Sequence, residues 1–170
     1  RINLFAKKYK FKKDKTLKIN KVNIPPINDL IKKIPWNEIY EGIPSKIHGD
    51  LQFDNIIFDK KKFTLIDWRE DFGGNIDYGD LYYDLSKMYG GIEMNYDFIK
   101  KGRFSYKEKN NNISYYFQSR KKLMNKLKSQ YKTFLKKNNF SLKKIEILKC
   151  IIYLNMSSLH EYPFDKLLFS

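Results

Sequence analysis

One cysteine among 170 residues leaves no partner for a disulfide within the chain. That residue, Cys150, stands in the apolar run Ile147-Leu148-Lys149-Cys150-Ile151-Ile152, where a buried and inert thiol is expected. So little cysteine agrees with a cytoplasmic location, which is the expected one. Long hydrophobic runs are lacking too: no stretch approaches the roughly 20 apolar residues of a membrane helix, so no membrane segment is expected. The first residues, from Arg1, have neither an initiator Met nor the pattern of a signal peptide, and the chain reads as a fragment or a processed form. The eight glycines, at 42, 49, 73, 74, 79, 90, 91 and 102, form no Gly-x-Gly-x-x-Gly, and no Val-Ala-x-Lys strand precedes them. A phosphate-covering loop and a phosphate-positioning lysine are therefore not encoded in these residues.

Acidic residues are also scarce, 19 against 34 Lys and Arg, for a net charge of +15. Such a charge invites a nucleic-acid reading, because clustered cations release counterions from a phosphate backbone. The lysines are diffuse, however, falling in Lys7-Lys8, Lys12-Lys13, Lys60-Lys61-Lys62, Lys121-Lys122 and Lys136-Lys137 among abundant Asn, Ile and Tyr. They read as solvated faces or as a coding bias. With no helix-turn-helix, zinc or aromatic-platform pattern, no nucleic-acid partner is expected, and a basic nucleic-acid-binding domain is the weakest reading.

What is present suffices for a core, since 42% of the residues are hydrophobic, and the length is that of a single domain spanning 1–170. Residues 1–23, with scattered Ile2, Leu4, Phe5, Tyr9 and Phe11, read as a helix end and a polar connection. After Pro25-Pro26 a short helix is predicted over Ile27 to Ile34, stopped by Pro35-Trp36. Asn55 to Phe58 and Phe63 to Ile66 flank a polar turn and predict a β-hairpin. Beyond a loop from Asp71 to Gly79, a helix is predicted from Asp80, its cap, to Tyr89, ended by Gly90-Gly91. Residues 103–113 read as an Asn-rich loop. Two longer helices close the chain, one with Phe117, Met124, Leu127, Tyr131 and Phe134 as its core stripe, the other with Ile145, Leu148, Ile152, Met156 and Leu159. Pro163 is expected to end the second, with Phe164 to Phe169 packing back.

The chemistry concentrates in His48-Gly49-Asp50-Leu51-Gln52-Phe53-Asp54-Asn55 and, across the hairpin, Ile66-Asp67-Trp68. Phosphoryl transfer needs an acid residue near the acceptor hydroxyl and oxygen ligands that hold magnesium on the ATP phosphates. Asp50 precedes a tight reversal, Asn55 opens the following strand, and the hairpin returns Asp67 to the same end. In that arrangement Asp50 is the catalytic residue that orients the hydroxyl and takes its proton, while Asn55 and Asp67 bind Mg²⁺ and, through it, the co-substrate ATP.

These residues resemble the catalytic loop and metal-binding aspartate of the aminoglycoside phosphotransferase and choline kinase family, relatives of the protein kinases, whose pattern is His-Gly-Asp, four residues, Asn, then Ile-Asp-Trp after a hairpin. Gly79-Asp80-Leu81-Tyr82-Tyr83-Asp84-Leu85-Ser86 is similar to the family's Gly-Asp-Pro-x-x-Asp-Leu-Ala helix start. The motif region is 45–91. The resemblance implies an α+β fold, the mostly helical C-terminal lobe of a protein-kinase-like enzyme with a β-hairpin carrying the site residues, separated from its N-terminal ATP lobe and inactive alone. It implies ATP and Mg²⁺, an alcohol group on choline, ethanolamine, a sugar or an aminoglycoside-like molecule as acceptor, and supporting roles for His48 and for Asp84, which accepts hydrogen bonds from the loop backbone. Relative to protein kinases, Gly49 replaces an arginine that answers to a phosphorylated activation loop, Gln52 stands where serine/threonine kinases carry a lysine, and Asp67-Trp68-Arg69 replaces Asp-Phe-Gly. These departures point to a small-molecule acceptor.

Taken singly the same residues have plainer readings: His48 as a core histidine, Asp50 as a turn residue, Asn55 as a strand cap. Glu70, Asp71 and Asp77 either meet a cationic acceptor or cap turns, and Trp68 is a candidate wall of the site. The main rival is a non-catalytic kinase-like binding module, disfavoured because Asp50, Asn55 and Asp67 are all present.

Overall fold

The computed structural model describes residues 2–10 and 12–170, so that Arg1 and Phe11 lie outside the described residues. In chain order the elements are α1 (Ile2–Lys8), β1 (Leu17–Ile19), β2 (Val22–Ile24), α2 (Ile27–Lys32), α3 (Trp36–Tyr40), β3 (Pro44–Ser45), β4 (Ile56–Asp59), β5 (Lys62–Leu65) and β6 (Gly79–Asp80). There follow α4 (Leu81–Glu93), α5 (Tyr96–Lys100), β7 (Phe104–Lys109), β8 (Asn112–Phe117), α6 (Lys121–Lys137), α7 (Leu142–Ser157) and α8 (Phe164–Phe169). The mixture is α+β. It divides into two compact units, Arg1–Pro35 with Tyr96–Ser119 and Cys150–Ser170, and Trp36–Asn95 with Arg120–Lys149. No helix among the described residues is long and apolar enough to cross a membrane.

The first unit is built on a four-stranded sheet in the order β2-β1-β8-β7. Two of its strand pairs were hidden in segments that read as polar connections. Ile19 pairs with Val22, which leaves Asn20-Lys21 as a two-residue turn with φ of 46° and 72°, the primed geometry that suits a twisted hairpin. Residues 103–113 are likewise not a loop: Lys109 pairs with Asn112, and Asn110, at φ 57°, makes the turn between β7 and β8. Asparagine tolerates the left-handed region, so the Asn run marks a turn between strands. Phe117 accordingly ends β8 and is no part of a helical stripe. In the same unit Phe5 stacks on Phe169 at 4.4 Å, and buried Asp165 accepts hydrogen bonds from Lys8, at 2.8 Å, and from the Tyr9 hydroxyl.

The second unit packs α4 against α6 and the start of α7 around Tyr82, Leu85, Tyr89, Leu135 and Ile145. Each large side chain buried there contributes about 1.5–3 kcal/mol over leaving it in water. Asp80 caps α4 as expected, its carboxylate accepting the Tyr82 N–H at 3.0 Å. Gly90-Gly91, however, does not end the helix, which runs on to Glu93. Both glycines are buried within it, and Gly91 packs beside Phe53, whose ring a Cβ would meet at 3.5 Å. In α6 the buried residue is Leu135, whereas Phe134 is 45% exposed.

Helix geometry also corrects the cysteine. Ile145 and Ile152, seven residues apart and both buried, define the inner face of α7, and Cys150, five residues on from Ile145, falls on the far side and is exposed. Leu159 lies past the end of α7 and is 61% exposed, and Pro163 is the cap of α8 rather than the stop of α7.

Glu93, at the end of α4, pairs with Lys128 from α6 and Lys149 from α7, and both ammoniums also face the Tyr89 ring. Burial alone would raise the Glu93 carboxyl, but the two lysines outweigh it and hold the group below its ordinary 4.5. A depressed carboxylate contributes stability that is present above its unfolded value and lost as the pH falls through its folded value. Glu93→Gln is expected to destabilise the protein by about 1–3 kcal/mol near neutrality. In acid, below both values, the variant and the wild type should melt together, which thermal unfolding across the acid range checks.

Candidate active site

The segment from Ser45 to Trp68 is fixed first by its backbone. β3 pairs antiparallel with β6, Ser45 opposite Gly79, and the Ile43 N–H donates to the Asp80 carboxylate at 3.0 Å, so the loop that follows starts beside the first turn of α4. Asp84, 5% exposed in that helix, then accepts the His48 N–H at 2.6 Å and the Gly49 N–H at 2.9 Å. Burial raises the Asp84 carboxyl above its ordinary value, opposed in part by these two hydrogen bonds.

Gly49 sits at φ +78°, and a Cβ there would come within 2.6 Å of the Arg69 Cβ and Cγ, so both conformation and space require glycine. The sequence offered Gly49 as part of the His-Gly-Asp pattern and as a departure from protein kinases; the backbone supplies a steric reason of its own.

His48 is buried and bridges two segments. Its Nδ1 accepts the Asp50 N–H at 3.2 Å, which leaves the proton on Nε2 for the Ile66 carbonyl at 2.7 Å. The Arg69 N–H returns to the His48 carbonyl at 2.9 Å, and the Ile66 N–H reaches the Asn55 carbonyl at 3.0 Å. These three bonds stitch the end of β5 to both ends of the loop. Trp68 covers the imidazole, ring centroids 4.8 Å apart, and its Nε1–H donates to the Leu65 carbonyl.

Within this frame Asp50 and Asn55, both buried, touch directly. Asn55 Nδ2 donates to the Asp50 carbonyl at 2.9 Å and to Asp50 Oδ2 at 3.3 Å, and Gln52 Nε2 approaches the same Oδ2 at 3.4 Å. Asp67, exposed, follows Ile66 in the left-handed region at φ 60°, and its described link to the loop runs through the main chain. A non-glycine residue there is strained by about 1–3 kcal/mol, a feature that clusters at functional positions. Asp71 accepts the Gly74 N–H at 2.9 Å and so has the plainer role of a turn cap.

Sequence reasoning missed Lys87. Its ammonium lies 2.5 Å from Asp50 Oδ1, with the two side chains only 7% and 12% exposed. The ion pair accounts for Oδ1, which has no hydrogen bond of good geometry. The signal was available: Lys87 is three residues after Asp84 on the same helix, so the two share a face, and a lysine amid the apolar residues of α4 needs a carboxylate.

No cluster of three or more His, Cys, Asp or Glu among the described residues makes a metal centre by itself. Magnesium asks less of a protein, one or two oxygen ligands with water and phosphate completing the shell. The Asn55 amide oxygen and the Asp67 carboxylate are donors of that hard type, so the residues fit the ion.

Residues 27–105 match the profile of the phosphotransferase enzyme family. The likeness to phosphotransferases is confined to this segment. No curated protein and no solved structure matches the chain. The matched segment carries the whole loop, the β4–β5 hairpin and α4 with both Asp84 and Lys87. A cavity of about 530 Å³ opens elsewhere, on the four-stranded sheet, lined by Lys18, Lys21, Lys107 and Lys109. Its lysines are solvent-exposed, it includes none of the residues from His48 to Asp67, and we assign it no part in the chemistry.

Proposed function

We propose that the chain is the C-terminal catalytic lobe of a protein-kinase-like phosphotransferase, which moves the γ-phosphate of ATP to a hydroxyl group of a small molecule. The observation that carries this reading is the direct contact of Asp50 with Asn55, in a loop whose closing hydrogen bonds tie it to Ile66, the residue before Asp67.

Asp50 Oδ2 accepts the acceptor hydroxyl and takes its proton late in transfer, as the new oxygen–phosphorus bond forms and the bond to the ADP oxygen breaks. Asn55 and Asp67 would hold magnesium, which when bound neutralises charge on the ATP phosphates. His48 is a positioning residue: its hydrogen bond to Ile66 and its contact with Trp68 set the approach of Asp67. Asp84 holds the loop backbone. With no Gly-rich loop or strand lysine in these residues, the chain alone is expected not to turn over.

The test is transfer of label from γ-³²P-labelled ATP by the full-length protein that carries this chain, offered choline, ethanolamine, ribitol, glucose and kanamycin with magnesium. Label on one of these hydroxyl compounds, abolished by chelation, is the expected result. ATP left intact in the presence of every one of them, under conditions where the protein is folded, contradicts the reading of an alcohol-phosphorylating enzyme in this acceptor class.

A further inference from the structure

We infer that Lys87 is a positioning residue for phosphoryl transfer, fixing the Asp50 carboxylate by its ion pair to Oδ1 so that Oδ2 is the oxygen presented to the acceptor. The inference rests on the phosphotransferase reading of Asp50.

Three features of the structure carry it. The pair is close, at 2.5 Å, and withdrawn from water, with side-chain exposures of 7% and 12%, so solvent screening is weak. It discriminates between the carboxylate oxygens: Oδ1 faces the ammonium, whereas Oδ2 faces the amides of Asn55 and Gln52. Finally, Lys87 and Asp84 occupy one face of α4 three residues apart, so a single rigid helix holds the loop backbone at His48 and Gly49 and the reactive side chain at Asp50.

The placement also answers an electrostatic need. Asp50 and Asp84 are two buried carboxylates in neighbouring positions, and the Asp84 carboxyl is raised mainly by burial, with the charge of Asp50 adding to it. Lys87 is the cation paired with Asp50 Oδ1, which has no hydrogen-bond partner, and without it that oxygen would be left buried and unpaired and the carboxylate would lose its fixed orientation. A loose carboxylate misses the acceptor hydroxyl, and a misplacement of about 1 Å can cost on the order of a hundredfold in rate.

The experiment compares wild type, Lys87→Met, Lys87→Arg and Asp50→Asn in the full-length protein, measuring ADP release from Mg·ATP with the acceptor panel above and checking each fold by circular dichroism. Lys87→Met should lower kcat by about a hundredfold with the KM for ATP nearly unchanged. Lys87→Arg, which keeps the charge but displaces it, should lie between the two, about tenfold below wild type. Adding Lys87→Met to Asp50→Asn should cost nothing further, because the pair acts as one unit. If Lys87→Met does not fold, Lys87→Arg decides alone: a tenfold loss in kcat at constant KM supports the role, and wild-type kcat overturns it. Full turnover by folded Lys87→Met, beside an inactive Asp50→Asn, sinks this inference and leaves the phosphotransferase reading standing. An Asp50→Asn variant as active as wild type sinks both.

Discussion

Asp50→Asn in the full-length protein is expected to lower phosphoryl transfer by about 10²–10⁴-fold, the range over which a positioned proton acceptor acts. Asparagine is the right replacement because of Lys87. Asp50→Ala would leave a buried ammonium opposite a methyl group, and breaking one side of a buried pair costs about 3–5 kcal/mol, enough to confuse lost chemistry with lost fold. The amide that Asp50→Asn puts in place of the carboxylate still offers an oxygen to Lys87 and keeps the volume of the side chain. The measurement is a steady-state rate of ADP release together with a melting curve, and the result that supports the assignment is a large fall in kcat with a small shift in melting temperature. Comparable falls in both would mean that Asp50 is a structural residue, the plain reading that its turn position allows.

Asp84→Ala is expected to act through stability. It removes the acceptor of two N–H groups, those of His48 and Gly49, in a place where water does not replace it. Each buried donor left unpaired costs about 1–3 kcal/mol, so a loss of about 2–5 kcal/mol is expected. At this size that lowers the melting temperature by roughly 5–15 °C. Asp84→Asn should recover only part of the loss, since its amide presents one oxygen and one donor to two donors. The two proteins should also differ with pH. Because burial raises the Asp84 carboxyl, its contribution is fully present below the unfolded value of 3.8 and declines as the pH rises through the folded value. The advantage of wild type over Asp84→Asn should therefore narrow on going from acid toward neutrality, as measured by chemical denaturation at a series of pH values. An advantage that grew over that range would show that the two hydrogen bonds outweigh the cost of burial.

The loop from His48 to Asn55 stood out as a candidate because phosphoryl-transfer chemistry needs particular side chains at particular distances along the chain, and two short apolar runs about a polar turn are a local signal of a hairpin. The helix cap at Asp80 was legible for the same reason, being decided within three residues. What escaped was decided by contacts across the fold. Gly90-Gly91 reads as a helix stop, yet the pair lies inside α4 where the Phe53 ring comes close to Gly91, and tertiary packing overrides the local preference. The β1–β2 and β7–β8 pairs escaped because their turns use Asn-Lys and Asn-Asn in place of Asn-Gly, with Asn20, Lys21 and Asn110 taking the positive φ. Cys150 looked buried among apolar neighbours in sequence, but neighbours along a helix point in different directions, and only the period fixed by Ile145 and Ile152 reveals its face.

Lys87 was the most consequential omission. A lysine in a chain so rich in lysine attracts little notice, even three residues after Asp84 among apolar neighbours, and its partner emerges only when the ammonium is found beside Asp50. The same abundance of lysine makes net charge a poor guide to partners here, because most of it is spread over exposed positions.

The account depends on one metal-bearing site shared by the loop and the end of the hairpin. Anomalous diffraction from the full-length protein crystallised with Mn²⁺ and a non-hydrolysable ATP analogue tests this most directly. The expected result is a peak bonded to both the Asn55 amide oxygen and the Asp67 carboxylate, on the side of the loop that holds Asp50. A nucleotide-bound metal ligated by other residues, with Asp67 turned away from it, would contradict the account.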